Sequence, residues 1–220
     1  MHALVTGASS GIGAAIARQL KAAGWQVSGL CRSIPPEGVA HVPADLSDAD
    51  TTRATLVGLG RFDAVIHAAG LLRVGRHDAL SLGDGARMWR LHVEVAAELI
   101  QSLAPRMPDG GRIVLIGSRV AMGAPGRSLY AASKSALTGL ARSVAAELAP
   151  RRITVNIVAP GATETPMLLD PAREGEPPRT PPMGRFIAPS EVAGTVAFLL
   201  SPAAASITGQ QIVICGGGSL

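Results

Sequence analysis

The sequence predicts an α/β fold: a doubly wound, mostly parallel seven-stranded sheet with helices on both faces, forming one domain over residues 1–220. Three observations predict it. Short apolar runs alternate with amphipathic segments along the whole chain, the pattern of strand–helix–strand units. Hydrophobic residues make up 47% and charged residues 16%, a balance that excludes disorder. Aromatics are only 3%, which leaves the core to Ala, Val, Leu and Ile, the residues of strands buried on both faces.

Taken in order, residues 3–5 read as a first strand, and 11–23 as a helix stopped by Gly24. Residues 25–30 and 39–42 read as strands, 48–59 as a helix and 64–67 as a fourth strand. One long helix is expected over 85–107, closed by Pro108-Asp109-Gly110-Gly111. Strand 113–116, an Ala-rich helix over 129–148 ending at Pro150, strand 153–158, helix 191–200 and strand 211–214 complete the series. The one shift in composition is 167–189, where Pro171, Pro177, Pro178, Pro181 and Pro182 interrupt regular structure. A structured segment follows it, so it reads as a lid over a site rather than a linker.

Composition also excludes function classes. The net charge is +4, but Arg18, Arg53, Arg61, Arg87 and Arg142 are scattered, and few aromatics are present to stack on bases, so no nucleic acid partner is expected. Cys31 and Cys215 stand apart, without metal-ligand spacing or a disulfide framework, and no metal is expected. The N-terminal sequence enters a strand at once and no apolar stretch reaches spanning length. No membrane association and a cytoplasmic location are therefore expected.

Thr6-Gly7-Ala8-Ser9-Ser10-Gly11-Ile12-Gly13 lies between the first strand and the first helix. Glycines here allow a sharp turn and let a pyrophosphate approach the backbone, while the helix N-terminus offers free N–H groups. Glycines in such a turn also serve structure alone; the strand–turn–helix context favours the phosphate reading. Further along, Tyr130 and Lys134 lie four residues apart at the start of a helix, on one face. An ammonium beside a phenol favours the phenolate, as a general acid/base requires. Tyr130 is the only tyrosine in the chain. Ser118 ends the fifth strand, at the carboxyl edge where parallel sheets gather ligands.

The glycine spacing, with three residues between the first two glycines, resembles the short-chain dehydrogenase/reductase family, in its compact single-domain branch. That resemblance covers essentially the whole chain and implies a Rossmann-like sheet. It implies that Tyr130 gives or takes the substrate proton, that Ser118 hydrogen-bonds the same oxygen, and that Lys134 also holds the nicotinamide ribose. Gly7, Ser9, Ser10, Gly11, Ile12 and Gly13 would cradle the cofactor. Asp45-Leu46 resembles the pair that contacts adenine, and Pro160-Gly161 with Thr163 and Thr165 resembles the loop that clasps the nicotinamide amide. Asn156 and Ile207-Thr208-Gly209-Gln210 also recur at the family's places.

The sequence departs from the family at three places. His67-Ala68-Ala69-Gly70 has a histidine where asparagine is usual, read as a structural substitution beside the cofactor. His92 stands where a fourth catalytic residue, an asparagine, normally bends the helix and holds a relay water. Either His92 holds such a water or shuttles protons itself, titrating near neutral pH, or it is a partly buried histidine with no relay role. Cys215 replaces a common aspartate, a change expected to affect packing.

At the end of the second strand, Cys31-Arg32-Ser33 lacks the acid that would bind a ribose 2′-hydroxyl. Arg32 and Ser33, with Ser9, suit a 2′-phosphate, so NADP(H) is expected, with NAD(H) as the alternative. The expected activity is hydride transfer between that cofactor and a small-molecule carbonyl or secondary alcohol, with a 3-oxoacyl thioester as one subtype. The alternative is a cofactor-binding regulator with little or no turnover. The expected pocket wall is 119–122, Ala162 and 167–169; Arg119, Arg73 and Arg76 would suit an anionic substrate. The resemblance implies a homodimer or homotetramer packed through the two long helices.

Overall fold

The computed structural model describes residues 1–170 and 178–220. Seven strands form one sheet: β1 His2–Thr6, β2 Gln26–Cys31, β3 Ala40–Pro43, β4 Ala64–His67, β5 Arg112–Ile116, β6 Thr154–Pro160 and β7 Gln211–Ile214. Their order is β3-β2-β1-β4-β5-β6-β7, and every pairing is parallel. The chain order reverses between β1 and β4. Their carboxyl ends form the crevice in which open α/β sheets bind ligands.

Helices cover both faces. Helix α1 (Gly11–Ala22) and helix α6 (Pro189–Leu200) lie together on one side. There Ile16, Leu20, Val192, Val196 and Leu199 pack on Val5, Ile66 and Val114. On the other side are α2 (Ala49–Gly58), α4 (Val95–Leu103) and α5 (Ser128–Leu148). Their Leu56, Leu99, Leu103 and Leu137 meet Leu4, Val65, Ile113 and Val155. Neighbouring strand residues thus point to opposite cores, as the near-continuous apolar strands require.

Local chemistry sets the helix ends. Asp48 caps α2 by accepting from the Thr51 N–H at 2.6 Å. Pro189 opens α6, and Glu191 reaches back to accept from the Ala188 N–H at 2.8 Å.

One expectation fails in an informative way. In place of a single helix over 85–107, the chain forms α3 (Leu82–Trp89), a π turn (Arg90–Glu94), α4 and a 3₁₀ turn (Ala104–Arg106). The start moves forward because Ser81 is the cap, accepting from the Asp84 N–H at 3.2 Å. Gly85 suits the helix because it packs on α5: a Cβ there would lie 3.0 Å from Leu129 Cδ1. The π turn was not expected because no Gly or Pro within 90–94 announces it, and the phase shift of about 100° that one extra residue brings is hard to tell from ordinary variation in a short apolar pattern.

The ends of the expected lid are pinned. Ile187 donates its N–H to the Ala162 carbonyl and accepts from the Glu164 N–H, both at 2.9 Å. Pro166–Leu169 forms a 3₁₀ turn that buries Leu168, and Pro189 belongs to α6 rather than to the lid. The stretch 171–177, with Pro171 and Pro177, lies outside the described residues.

Candidate active site

Two groups of residues meet at the carboxyl edge of β1, β4, β5 and β6. The first is the glycine-rich turn. Gly7 and Gly11 have φ of 66° and 52°, a region that favours glycine. A Cβ on Gly7 would lie 2.9 Å from the Ala69 backbone. Ser10 starts α1 without a side-chain capping bond, which leaves first-turn N–H groups to an anion. A Cβ on Gly11 would reach 3.3 Å from the Thr165 methyl, so the loop after β6 forms the opposite side of the cradle. In that loop Thr163 Oγ1 donates to the Gly161 carbonyl at 3.1 Å, and Thr165 Oγ1 to the Thr163 carbonyl at 3.2 Å. Gly161, directly after Pro160, donates to the Ile214 carbonyl at 2.8 Å. These residues fit a dinucleotide phosphate held at a helix N-terminus.

The tightest point of the turn is Gly13, where a Cβ would lie 2.2 Å from the Gly7 carbonyl oxygen. Gly13→Ala should therefore cost about 1–3 kcal/mol of stability through overpacking. It should also weaken nicotinamide nucleotide binding about tenfold or more, read by nucleotide titration. Unchanged stability and affinity would show that the turn need not keep this shape.

Beyond the end of β2, Arg32 and Ser33 are exposed, and Leu46 is buried. The Asp45 carboxylate accepts from the Ser47 N–H at 3.0 Å and its hydroxyl at 2.7 Å. Those bonds, with Arg32 beside it, hold its pKa below the usual carboxylate value. Cys31 is a buried thiol whose Sγ donates to the Ser33 carbonyl at 3.2 Å.

The second group gathers around α5. Ser118 is buried and begins the 3₁₀ turn Arg119–Met122, its Oγ accepting from the Val120 N–H at 3.1 Å. Tyr130 and Lys134 lie one turn apart in the first part of α5, both buried. Lys134 Nζ donates to the Ile116 carbonyl at the end of β5, at 2.8 Å. Burial of its ammonium lowers its pKa to about 7. The structure thus brings Ser118, Tyr130 and Lys134 to one strand end.

His92 sits on the π turn, fully buried, with its ring edge-on to Tyr130 at 5.6 Å between centroids. Its Nε2 accepts from the Leu71 N–H at 3.2 Å, so Nδ1 carries the hydrogen and donates to Ser133 Oγ at 2.9 Å. Burial, and then the Lys134 ammonium, push its pKa well below the ordinary histidine value. The expectation of a group titrating near neutral pH is corrected by that burial: the ring is neutral and both nitrogens are engaged. Gly70 permits the crowding, since a Cβ there would lie 3.2 Å from His92 Nε2 and 3.7 Å from Lys134 Nζ.

His67 is also fully enclosed, at the end of β4, with its pKa lowered to about 3 by burial and then by Lys134. Sequence reasoning assigned no role to Ser133, Leu71 or Thr6, which hold the two histidines. The Tyr-x-x-Ser-Lys spacing was the available signal for Ser133.

Around the cleft, Val120 and Ala121 are buried, while Met122 and Leu169 are exposed. Of the three arginines expected to favour an anion, Arg73 pairs with Asp170 at 3.5 Å and Arg76 with Asp78 at 3.7 Å. Arg119 instead donates to the Gly218 carbonyl at 2.8 Å. Among the described residues no group of His, Cys, Asp or Glu is arranged to hold a metal ion. No helix among them is long and apolar enough to cross a membrane.

Comparison with known proteins agrees with this geometry. A family model described as enoyl-(acyl carrier protein) reductase matches residues 7–219. The chain is 36% identical to the 2,3-dihydro-2,3-dihydroxybenzoate dehydrogenase of Escherichia coli K12, over 98% of this chain and 96% of the relative. It is 33% identical to the cyclic-di-GMP-binding biofilm dispersal mediator protein of the same organism, over 97% and 94%. It is 35% identical to the 3-oxoacyl-[acyl-carrier-protein] reductase FabG of Aggregatibacter actinomycetemcomitans, over 97% of each. A blue fluorescent protein from a metagenomic library, solved with NADPH, superposes with a TM-score of 0.87 at 33% identity, covering 100% of this chain and 98% of that one. The chain belongs to the short-chain dehydrogenase/reductase family, a class of nicotinamide-dependent oxidoreductases acting on CH–OH and C=O groups.

Proposed function

We propose that this protein reduces a carbonyl, or oxidises the corresponding secondary alcohol, with NADP(H) as the preferred cofactor. The observation that carries this is the meeting of buried Ser118, Tyr130 and Lys134 at the end of β5, opposite the glycine-rich cradle. The bound nicotinamide supplies or accepts the hydride. Tyr130 gives a proton to the carbonyl oxygen in reduction and takes it back in oxidation. Ser118 donates a hydrogen bond to the same oxygen, steadying charge as it develops there. Lys134, titrating near neutrality, places positive charge beside the phenol and favours the phenolate. His92 acts on this machinery by position, through Ser133.

The cofactor would be held by Gly7, Ser9, Ser10, Gly11, Ile12 and Gly13 at the phosphates and by Asp45 and Leu46 at the adenine. The backbone of the loop His67, Ala68, Ala69 and Gly70 would back it, with the His67 ring turned to Thr6 and Leu91, and Pro160, Gly161, Thr163 and Thr165 would serve the nicotinamide end. Arg32 and Ser33 favour the 2′-phosphate, because Cys31-Arg32-Ser33 at the end of β2 holds no carboxylate to repel it. Arg32→Ala should weaken NADPH binding by about 2 kcal/mol, roughly thirtyfold, and NADH binding hardly at all. Equal losses for the two cofactors would overturn the preference.

The apolar wall at Val120, Ala121, Met122 and Leu169 suits a hydrophobic or mixed substrate, and Arg119 adds a cation that has no carboxylate partner among the described residues. A 3-oxoacyl thioester is one candidate of this kind, and FabG is a relative. The site is proposed to work within a homo-oligomer in a reducing cytoplasm, where Cys31 and Cys215 stay free. Loss of NADPH absorbance across a carbonyl panel tests the activity. Tight NADPH binding with no turnover on any member would support a binding protein instead, a reading favoured by the likeness to the cyclic-di-GMP-binding relative.

A further inference from the structure

We propose that His67 is a positioning residue: it fastens the glycine-rich turn to the π turn, and so holds His92, Ser133 and the start of α5 in register with Tyr130. The inference rests on the hydride-transfer reading above and concerns a side chain that the mechanism itself does not use.

The argument begins with one hydroxyl. Thr6, the first residue of the glycine-rich turn, accepts from the N–H groups of Ala68 and Ala69 at its Oγ1, both at 3.0 Å. Its own hydrogen is therefore left for His67 Nδ1, at 2.8 Å. With Nδ1 accepting, the ring proton sits on Nε2, which donates to the Leu91 carbonyl at 3.0 Å. Leu91 lies inside the π turn, next to His92. On the far side, His92 Nδ1–H donates to Ser133 Oγ, and Ser133 passes its hydrogen to the Tyr130 carbonyl at 2.8 Å.

Every hydrogen in this series points the same way, from the cofactor turn toward the catalytic tyrosine. Two neutral rings in opposite tautomers carry it in two segments, Thr6–His67–Leu91 and Leu71–His92–Ser133–Tyr130, joined by the Leu91–His92 backbone, and the bonds within each segment polarise one another. A π turn is a rare backbone form, and a ring donor on one of its carbonyls fixes where it falls. Lys134 from α5 is a charged neighbour of both rings, the two histidines face each other, and the Tyr130 ring lies against His92. Since burial and Lys134 keep both rings neutral, the series stays intact across ordinary pH. The His67 ring, enclosed between Thr6 and Leu91, thus ties together the two halves of the site.

Two variants and two readouts test this. His67→Leu removes both bonds; His67→Asn keeps one donor and one acceptor. His67→Leu should lower kcat about tenfold to a hundredfold, the scale of a misplacement near 1 Å, while NADPH Kd moves by less than about threefold. His67→Asn should recover most of that kcat. In ¹⁵N spectra of the ring nitrogens, the wild type should show His67 protonated on Nε2 and His92 on Nδ1. His67→Leu should shift the His92 signals and His67→Asn should leave them near their wild-type positions.

A folded His67→Leu protein with unchanged kcat and unchanged His92 signals would overturn the inference. So would a parallel loss of kcat, NADPH affinity and melting temperature with no recovery in His67→Asn, the mark of a merely structural histidine. If the wild type turns over no carbonyl, the hydride-transfer reading falls, and the His92 ring spectra alone decide the positioning claim. Should His67→Leu fail to fold, the wild-type tautomers and His67→Asn decide it.

Discussion

Tyr130→Phe should lower kcat by about 10²–10⁴-fold, the range over which a positioned general acid acts, while NADPH Kd stays within about threefold. The substitution is clean. The ring packs with Leu72, Met88, Val120 and Ala131, and lies edge-on to His92, and phenylalanine keeps those contacts. Only the hydroxyl is lost, so the melting temperature should change little. Tyr130 is the only tyrosine in the chain, and no other phenol can substitute for it. Because the proton is transferred in the transition state, the loss should fall on kcat rather than on KM. Retained turnover in Tyr130→Phe would place the proton on another group and sink the proposed mechanism.

The parts of this site that were legible in sequence are those whose chemistry is local. The glycine-rich turn needs glycines at fixed places, because Gly7 and Gly11 have positive φ and Gly13 presses on the Gly7 carbonyl. Tyr130 and Lys134 share a helix face by spacing alone. The central strands showed because parallel strands buried on both sides must be apolar throughout, and β4 falls where it was expected; β7, half-exposed at the sheet edge, is still apolar enough to fall there too. What could not be read depends on contacts between distant segments. The π turn at Arg90–Glu94 is one case, stabilised from outside by His67 at 3.0 Å. The state of His92 is another. A histidine in a sequence has no environment, and only its enclosure beside Lys134 shows that it stays neutral. The arginines teach the same lesson: Arg73 and Arg76 have carboxylate partners that spacing did not reveal, and Arg119 is tied to the C-terminal segment at Gly218.

Lys134→Met should abolish most turnover and yet stabilise the protein. The lysine is fully enclosed, and its pKa falls from 10.5 in the open chain to about 7 in the fold. At about 1.4 kcal/mol per pH unit, that displacement corresponds to about 5 kcal/mol of stability forgone when the folded protein must carry the charge. Between pH 7 and 10.5 the unfolded chain holds this proton and the folded chain does not, so stability rises with pH across that window. Below about pH 7 both states hold it and the penalty is present in full. Above 10.5 neither does, and the penalty disappears. Methionine fills similar volume without the charge, and the gain is reduced by about 1 kcal/mol because the Ile116 carbonyl loses its donor. A net gain of about 1–4 kcal/mol is expected at pH 6.5, and a smaller one at pH 9.5. Calorimetric melting of both proteins at the two pH values reads this difference, since other titrating groups are common to both. Lys134→Arg, which keeps a charge at every accessible pH, should lose stability instead. A Lys134→Met protein less stable than the wild type at pH 6.5 would mean that the ammonium is well compensated where it sits. The site would then hold its lysine at no cost, contrary to the reading of a charge kept for catalysis against the preference of the fold.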